Sequence, residues 1–346
     1  HKSRAMVLRQ EPTQGKKGVI FSGMRPTGLL HLGNYMGALQ NWVKLQEEYD
    51  CIYCAVDIHA LTTIETADES AQIRPNIEDM VLDWLAAGID PERSIVFVQS
   101  HVPEVMTLHS LLSMVTPLGW LMRVPTFKDK VRQMSETEET VNYGLVGYPI
   151  LQTADIILYK ADTVPVGQDQ VPHLELAREI VRRFNNRYGE IFPEPQANLT
   201  EDPLIVGLDG QQKMSKTLDN HLELAATPEE TTRRVLTAFT DPQRTRRDIP
   251  GRPNLCNVYA LHKTFSPAAE VTTVYDECVT AQRGCVDCKR HLAASINDYL
   301  AELRERRNSL QQRPGYIQEI LADGAAKARV IAQKTIEEVY SKMGLA

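Results

Sequence analysis

The sequence predicts an α/β protein in which a parallel sheet covered by helices is followed by an all-α part. Two observations support this prediction. Short apolar runs bounded by turn residues alternate with amphipathic stretches up to about residue 218, and from Pro228 onward such runs disappear. Strands that alternate with helices are typical of a parallel sheet with helices on both faces. We therefore expect a Rossmann-like domain over residues 18–218 and a helical domain over residues 219–346.

The predicted strands are short and apolar. The first covers residues 18–23, and the turn at 25–28 separates it from a helix that begins near Gly33. Further strands are predicted at 51–56, 94–98 and 204–208, and a unit of two apolar stretches spans 150–166.

The predicted helices are longer. The stretch over 67–87 contains Pro75, which suits the first turn of a helix and is therefore expected to start a second helical part. The others are predicted over 169–185, 228–239, 267–283, 290–310 and 315–343. The last helix has an alternative position, in which it packs back onto the sheet domain.

Composition restricts the class of protein. The net charge of -7 argues against indiscriminate nucleic-acid binding, so no DNA partner is expected. Basic residues nevertheless cluster at 128–132, 244–247 and 304–307, each of which is either a local binding surface or a solvated face. No apolar run approaches the roughly 20 residues of a membrane helix. Six cysteines are too few for a disulfide scaffold in a chain of 346 residues.

These features, and the absence of a visible secretory signal, predict a cytoplasmic protein without a membrane segment. Residues 1–17 are interpreted as the remnant of an expression tag followed by an N-terminal extension.

Two segments have the features of a nucleotide site. Residues 23–34 lie between a predicted strand and helix, where backbone N–H groups can meet a phosphate, and Gly28 and Gly33 allow close approach. Residues 213–217 place two lysines three residues apart on a loop, so that both can reach one pyrophosphate. Each segment also has a plainer interpretation, with His31 as a packed histidine and 213–217 as an exposed basic loop.

Together the two segments resemble the paired signatures of class I aminoacyl-tRNA synthetases. The HIGH-like motif is His31-Leu32-Gly33-Asn34, and the KMSKS-like motif is Lys213-Met214-Ser215-Lys216-Thr217, in which threonine replaces the commoner serine. The position of one motif at the first strand and the other after the last strand is also similar to that family. The resemblance implies ATP as a substrate.

The middle of the chain resembles the tryptophanyl-tRNA synthetases in particular. Four segments carry this resemblance, namely residues 54–60, 128–130, 148–159 and 164–170. Residues 148–159 are similar to the amino-acid pocket of that family, and the resemblance runs from about residue 18 to the end. It implies a tryptophan–tRNA ligase with ATP and L-tryptophan as substrates, tRNA(Trp) as partner, and a homodimer.

The resemblance implies three sets of site residues. The tryptophan-binding set is Phe21, His59, Tyr148, Gln152, Asp155, Val164, Val166 and Gln170. The ATP-binding set is Arg25, Pro26, Thr27, Gly33, Asn34, Gly167, Gln168, Asp169, Leu204, Lys213, Met214, Ser215, Lys216 and Thr217. The catalytic set is His31, Asn34, Lys130, Lys213 and Lys216, which together with Mg²⁺ would stabilise the departing pyrophosphate.

The chemistry of the amino acid suits this assignment. An indole has one polar group, an N–H donor, and a buried carboxylate at Asp155 would accept it. A competitor without such a donor would leave the carboxylate unpaired, so it would be rejected. The plainer alternatives are that Asp155 is a helix-surface charge and that His59 is a packed residue at a strand end.

One position departs from the commoner pattern of the family. Many members carry Gln where this chain has Arg25, and some carry Thr at the position of His31. Arg25 adds a fixed positive charge beside either the α-phosphate of ATP or the carboxylate of the amino acid, and both assignments stay open.

Four cysteines in the helical part form the pattern C-x21-C-x6-C-x2-C. Four thiolates suit an iron–sulfur cluster or a structural zinc, and free thiols are the third interpretation. The spacing resembles that of a subset of tryptophanyl-tRNA synthetases with a [4Fe–4S] cluster near the docked anticodon. The resemblance implies that Cys256, Cys278, Cys285 and Cys288 are ligands and that residues 219–346 bind the anticodon.

Three rival functions remain. A tyrosyl-tRNA synthetase shares the architecture, although the apolar wall at 164–166 suits an indole better than a phenol. A catalytically silent synthetase-like protein would bind tRNA or sense iron, which the intact Lys130, Lys213 and Lys216 argue against. A small-molecule nucleotidyltransferase would not need the long helical part.

Overall fold

The structure is a computed structural model that describes residues 12–200 and 205–346. One parallel sheet has the order β3-β2-β1-β4-β5. Its strands are β1 (Val19–Met24), β2 (Asp50–Ala55), β3 (Ile95–Val98), β4 (Thr163–Val166) and β5 (Gln196–Leu199). The predicted Rossmann-like α/β fold with a helical C-terminal region is confirmed.

The helices of the first part surround the sheet. They are α1 (Leu32–Asn34), α2 (Gln40–Leu45), α3 (Asp57–Leu61), α4 (Ala67–Ala71), α5 (Ile73–Ala87), α6 (Glu104–Ser113), α7 (Leu118–Met122), α8 (Pro125–Gln133), α9 (Tyr143–Val146), α10 (Tyr148–Leu158) and α11 (Val171–Tyr188). A π-helical turn, Tyr35–Leu39, joins α1 to α2.

The second part is helical. Its helices are α12 (Pro228–Val235), α13 (Asn257–Phe265), α14 (Ala268–Val279), α15 (Cys285–Gln311) and α16 (Tyr316–Met343). Short 3₁₀ turns occur at Gln99–His101, Gln168–Gln170 and Pro253–Leu255. Within the described residues, no helix is both long and apolar enough to cross a membrane.

The strand predicted at 204–208 is wrong in its described portion. Residues 205–208 contribute only an isolated antiparallel bridge between Val206 and Lys213. The fifth strand is instead β5, which is polar and mostly exposed. Among the described residues it pairs with β4 alone, as an edge strand, so it does not need the apolar run by which buried strands are recognised.

The sheet opens between β1 and β4. Strand β1 pairs with β2 along its whole length but with β4 only at Ile20 and Thr163. The strand order reverses at this point, and in open parallel sheets the crevice at the carboxyl ends of such strands is where ligands bind.

The last helix lies against the sheet. Helix α16 packs on the edge strand β3 and on α6. A Cβ atom on Gly324 would lie 1.7 Å from the carbonyl oxygen of Val96, so the helix backbone contacts the strand directly. Thr335 Oγ1 also donates to the carbonyl of Leu158 at 2.7 Å. Helix α16 therefore belongs, by its packing, with the sheet.

Helix α15 connects two distant features of the second part. Its first turn carries Cys285 and Cys288, and its other end carries Arg304 and Arg307. Arg304 and Arg307 are buried, which excludes them from a solvated basic face. Arg307 Nε donates to Asp83 on α5 at 2.7 Å, and Arg304 Nε donates to the carbonyl of Leu224 at 2.9 Å.

Candidate active site

A cavity of about 530 Å³ lies at the carboxyl ends of β1 and β4. Every side chain predicted to bind tryptophan lines it, namely Phe21, His59, Tyr148, Gln152, Asp155, Val164, Val166 and Gln170. Four residues predicted for ATP or catalysis line it as well, namely Arg25, Asn34, Lys130 and Gly167. The structure thus brings together segments that are separated by more than a hundred residues of sequence.

The cavity has flat apolar walls. Val164 and Val166 lie two residues apart on β4 and therefore face the same side of the sheet. Phe21 on β1 stacks on Tyr159 with ring centroids 5.8 Å apart and an interplanar angle of 9°. This stacking fixes the plane of the Phe21 ring, which suits a flat aromatic ligand.

Asp155 places a buried carboxylate in this apolar cavity. It lies on α10 and is 2% exposed. Its Oδ2 atom accepts hydrogen bonds from His59 Nε2 at 2.9 Å and from Gln99 Nε2 at 2.7 Å. No Lys or Arg within residues 12–200 and 205–346 forms an ion pair with it; its only partner of that kind is His59. Such a carboxylate is well suited to accept a hydrogen bond from a ligand N–H.

Gln99 was missed by sequence reasoning. It follows β3 directly, in the 3₁₀ turn Gln99–His101, and is 1% exposed. A polar residue immediately after a buried strand, at the carboxyl edge of a parallel sheet, was the available signal.

Two cations also line the cavity. Arg25 follows β1 and its Nη2 atom donates to Thr63 Oγ1 at 2.6 Å. Lys130 on α8 places its Nζ atom 4.1 Å from the centroid of the Tyr148 ring. Burial and then the neighbouring Arg25 lower the pKa of Lys130. The pair forms a positive end that suits carboxylate or phosphate oxygens.

Gln170 is oriented by residues that the sequence did not indicate. Its Oε1 atom lies 3.0 Å from His173 Nδ1, and the other ring nitrogen of His173 lies 2.7 Å from Thr126 Oγ1. Burial, followed by the charge of Lys130, lowers the pKa of His173. A neutral imidazole donates from one nitrogen only, so this chain of contacts fixes the Gln170 amide.

The HIGH-like motif forms the start of α1. His31 Nδ1 accepts hydrogen bonds from the backbone N–H groups of Gly33 and Asn34, at 3.1 and 3.3 Å. Asn34 Oδ1 accepts in return from the backbone N–H of His31 at 3.0 Å. Burial and then His221, Lys216 and Lys213 lower the pKa of His31 to about 4.

His31 and Asn34 are acceptors as well as potential donors. Each uses one atom as an acceptor within the cap, which leaves His31 Nε2 and the Asn34 amide nitrogen as donors. Of the two residues, only Asn34 lines the cavity.

The KMSKS-like segment lies beside the HIGH-like motif. Lys216 Nζ donates to the carbonyl of Thr27 at 3.0 Å. Met214 is buried, and a Cβ atom on Gly33 would lie 3.3 Å from the Cβ atom of Met214. Backbone hydrogen bonds join Leu32 to Leu222 and Leu224 to Leu30 at 2.8 and 2.9 Å. The two predicted motifs therefore meet in space.

The other described residues predicted to bind ATP do not line the cavity. They are Pro26, Thr27, Gly33, Gln168, Asp169, Lys213, Met214, Ser215, Lys216 and Thr217. Asp169 is exposed, and its carboxylate lies so near Gly167 that a Cβ atom there would be 2.9 Å from Oδ1. Leu204 lies outside the described residues.

The four cysteines of the helical part share one small pocket. Cys256, Cys278, Cys285 and Cys288 line it together with Arg244 and Arg283. Arg244 Nη1 lies 3.9 Å from the sulfur of Cys278 and 3.7 Å from that of Cys285. Burial raises the pKa of the Cys288 thiol to about 12.

No three His, Cys, Asp or Glu side chains in the described part of the chain are arranged to hold a metal ion. The predicted metal site is therefore present as a common pocket of thiols and not as a formed ion site. The donor set still suits a metal group, because four thiols share the pocket with two guanidinium groups that would offset the charge of thiolates.

Comparison with known proteins places the chain. The family described as tRNA synthetases class I (W and Y) matches residues 13–301. The tryptophan–tRNA ligase of Thermotoga maritima is 45% identical over 328 residues, which cover 94% of this chain and 99% of the relative. That of Aquifex aeolicus is 40% identical, with coverages of 94% and 99%.

A solved structure agrees with these relatives. The tryptophanyl-tRNA synthetase of Campylobacter jejuni in complex with ADP and tryptophan superimposes with a TM-score of 0.85 at 35% identity, covering 94% of this chain and 100% of that chain. The chain therefore belongs to the class I tRNA synthetases for tryptophan and tyrosine, and within them to the tryptophanyl-tRNA synthetase family.

Proposed function

We propose that this chain is a tryptophan–tRNA ligase that uses the cavity between β1 and β4 to activate tryptophan with ATP. The observation that carries the proposal is the buried carboxylate of Asp155, which stands in a cavity with flat apolar walls and two cations. The indole side chain of tryptophan needs this combination of one acceptor and apolar surfaces. The ammonium and carboxylate groups of tryptophan need the polar end of the cavity.

The reaction has two steps. A carboxylate oxygen of tryptophan attacks the α-phosphorus of ATP. The bond between the α-phosphorus and the oxygen that bridges it to the β-phosphate breaks, and pyrophosphate leaves with the electron pair of that bond. The hydroxyl at the 3′-terminal ribose of tRNA(Trp) then attacks the carbonyl carbon of tryptophanyl-adenylate, and AMP leaves. Neither step needs a side-chain nucleophile, so the protein contributes positioning and charge.

The residues divide these tasks by position. Asp155 holds the indole, and Tyr148 and Gln170 hold the ammonium group. Lys130 and Lys216 neutralise charge on the phosphates, as does Lys213, whose exposed loop adjoins the HIGH-like motif. Mg²⁺ bound by the phosphate oxygens would neutralise further charge; among the described residues that line the cavity, the only carboxylate is Asp155.

Tryptophan-dependent exchange of labelled pyrophosphate into ATP tests the proposal. We expect exchange with tryptophan and no comparable exchange with tyrosine. Faster exchange with tyrosine would replace the proposal by the tyrosyl-tRNA synthetase alternative. Absence of exchange with either amino acid, in protein that still binds tRNA, would favour the catalytically silent alternative.

We propose further that Cys256, Cys278, Cys285 and Cys288 hold a [4Fe–4S] cluster. The shared pocket and its two arginines support four negatively charged sulfurs. A tetrahedral zinc site requires each sulfur about 2.3 Å from one ion. Zinc bound by the same four thiols remains the alternative.

Protein purified without air decides this question by its visible spectrum and by assay of iron, sulfide and zinc. About four irons and four sulfides per chain are expected. One zinc per chain would replace the cluster by the zinc alternative, and four free thiols without metal would remove both. The control is a variant in which all four cysteines are replaced by serine, purified and assayed in the same way.

The remaining parts of the proposal concern organisation. Residues 18–218 would form the catalytic domain and 219–346 the anticodon-binding region, for which α12 to α15 would provide the surface while α16 packs back onto the sheet. A homodimer and a cytoplasmic location remain predictions. Sedimentation analysis of the purified protein tests the first.

A further inference from the structure

We propose that Gln99 is a positioning residue for tryptophan recognition, holding the Asp155 carboxylate so that one oxygen is presented to the indole N–H. The inference rests on the proposed activation of tryptophan by this cavity. It concerns a residue that neither the sequence motifs nor the chemistry of the reaction had indicated.

The hydrogen bonds on Asp155 are distributed unequally. Both of those made by the described residues end on Oδ2, from Gln99 Nε2 at 2.7 Å and from His59 Nε2 at 2.9 Å. Asp155 also lines the cavity. Oδ1 is therefore the oxygen that remains for a ligand. A carboxylate with one oxygen held by two donors cannot rotate without losing both bonds.

The orientation of the Gln99 amide is itself determined. Its Oε1 atom accepts hydrogen bonds from the backbone N–H groups of Ile58 and His59, at 2.9 and 3.3 Å. An amide rotated by half a turn would place its NH₂ group against these two donors. Because one end of the amide is occupied by backbone donors, the other end must face Asp155 as a donor.

Gln99 consequently links the carboxyl ends of β3 and β2 to helix α10. It follows β3, its oxygen holds the backbone at the start of α3 after β2, and its nitrogen holds α10. It also stabilises the backbone of His59, the second donor to Asp155. The Gln99 amide carries no charge, so it orients the carboxylate without offsetting its charge, as an Arg or Lys would.

This arrangement has a consequence for specificity. The free oxygen of Asp155 accepts a hydrogen bond from an amino acid that has a donor at the right place. An amino acid without that donor leaves the oxygen unpaired and binds less tightly. Loss of the Gln99 donor would let the carboxylate turn or take up a proton. Recognition of the indole N–H would then weaken, whereas contacts with the apolar walls would remain.

The substitution Gln99→Glu keeps an oxygen for Ile58 and His59 and changes the group that faces Asp155. That group becomes a second carboxyl, which either repels the Asp155 carboxylate or shares a proton with it and so disturbs the free oxygen. Activation of tryptophan is compared with activation of an analogue in which sulfur replaces the indole N–H. We expect kcat/KM to fall about 10- to 100-fold for tryptophan and less than about threefold for the analogue.

The second variant, Gln99→Met, removes the donor without adding a carboxyl group. Its effect is measured in the same way, as the ratio of kcat/KM for tryptophan to kcat/KM for the analogue. It keeps the test decisive where Gln99→Glu does not fold. The control is Gln46→Glu, because Gln46 is also 1% exposed but makes its hydrogen bonds away from the cavity, to Asp90 and Ser94 among others. The ratio for Gln46→Glu should equal that of the unaltered protein.

Equal losses for tryptophan and the analogue in both Gln99 variants would overturn the inference, because they indicate a structural role alone. An unchanged kcat/KM for tryptophan in both would overturn it as well. Failure of the proposed function looks different, since the unaltered protein would then show no tryptophan-dependent exchange at all.

Discussion

Two buried carboxylates, one at the cavity and one beneath the HIGH-like motif, are held in opposite ways. Asp83 on α5 is 0% exposed and uses both oxygens, accepting from Arg307 Nε at 2.7 Å and from the backbone N–H of Leu30 at 2.9 Å. The two hydrogen bonds that the described residues make to Asp155, from His59 and Gln99, both end on Oδ2. Asp83 is paired with a guanidinium group, whereas no Lys or Arg of the described residues is paired with Asp155.

The difference separates a structural carboxylate from one available to a ligand. Burial raises the pKa of Asp83, and the charge of Arg307 opposes that shift. With both oxygens hydrogen-bonded and no exposed surface, Asp83 is not accessible to a ligand, but it connects α15 of the helical part to the loop that precedes His31. Asp155 keeps an acceptor at the cavity, and that acceptor is what a binding site needs.

The largest expected effect comes from breaking the Asp83 pair. Arg307→Met leaves a buried carboxylate without its cation, and we expect the free energy of unfolding to fall by about 3–5 kcal/mol. Urea denaturation measures it. The double variant Asp83→Asn, Arg307→Met should recover much of the loss, because the amide oxygen still accepts from the Leu30 N–H and no unpaired charge stays buried.

Arg306→Met is the matched control on the same helix. Arg306 is partly exposed and donates to the carbonyl of Ala86 without touching Asp83. A double variant no more stable than Arg307→Met would contradict the structural assignment of Asp83.

The next effect concerns Asp155 and should appear in activity instead of stability. Asp155→Asn keeps the shape of the side chain and removes the charge, so kcat/KM for tryptophan should fall about 100-fold. The midpoint of thermal unfolding should change by only a few degrees, because no Lys or Arg of the described residues is paired with Asp155. Pyrophosphate exchange and calorimetry measure the two quantities. A large loss of stability with unchanged kcat/KM would show that Asp155, like Asp83, is a structural carboxylate.

The smallest expected effect tests a third buried polar group, the neutral imidazole of His31. Its pKa is about 4 in the folded protein and 6.5 in the unfolded chain. Between these values the unfolded state binds more protons, so stability decreases as the pH falls through this window. From about pH 7 to about pH 5.5, His31 should contribute a loss of about 1 kcal/mol.

The variant His31→Asn retains a capping side chain but does not titrate, so its stability should depend less steeply on pH. Urea denaturation at both pH values measures the difference. His101→Asn, at an exposed position, is the control. Parallel pH dependences for His31→Asn and the unaltered protein would contradict the assigned cause.

Much of the fold could be predicted from local pattern. Strands β1 to β3 are buried and apolar, so their sequences identify them, and the predicted tryptophan residues came from segments with a strong resemblance. The polar edge strand β5 and the short helices between 104 and 146 could not be predicted in this way. Their stability depends on contacts with residues that are distant in the sequence, and a short stretch of sequence does not include those residues.

The same distinction, between local sequence pattern and contacts distant in the sequence, applies to the chemistry of the site. The residue types and spacing of the two motifs and of the segment around Asp155 were enough to indicate ATP and an indole-bearing amino acid. The sequence could not show that Gln99 fixes Asp155, that His31 is an acceptor in a helix cap, or that Arg307 is buried against Asp83. Each of these facts is a contact between elements far apart in the chain, and the hydrogen bonds and burial that decide it exist only after the sheet and its helices have packed.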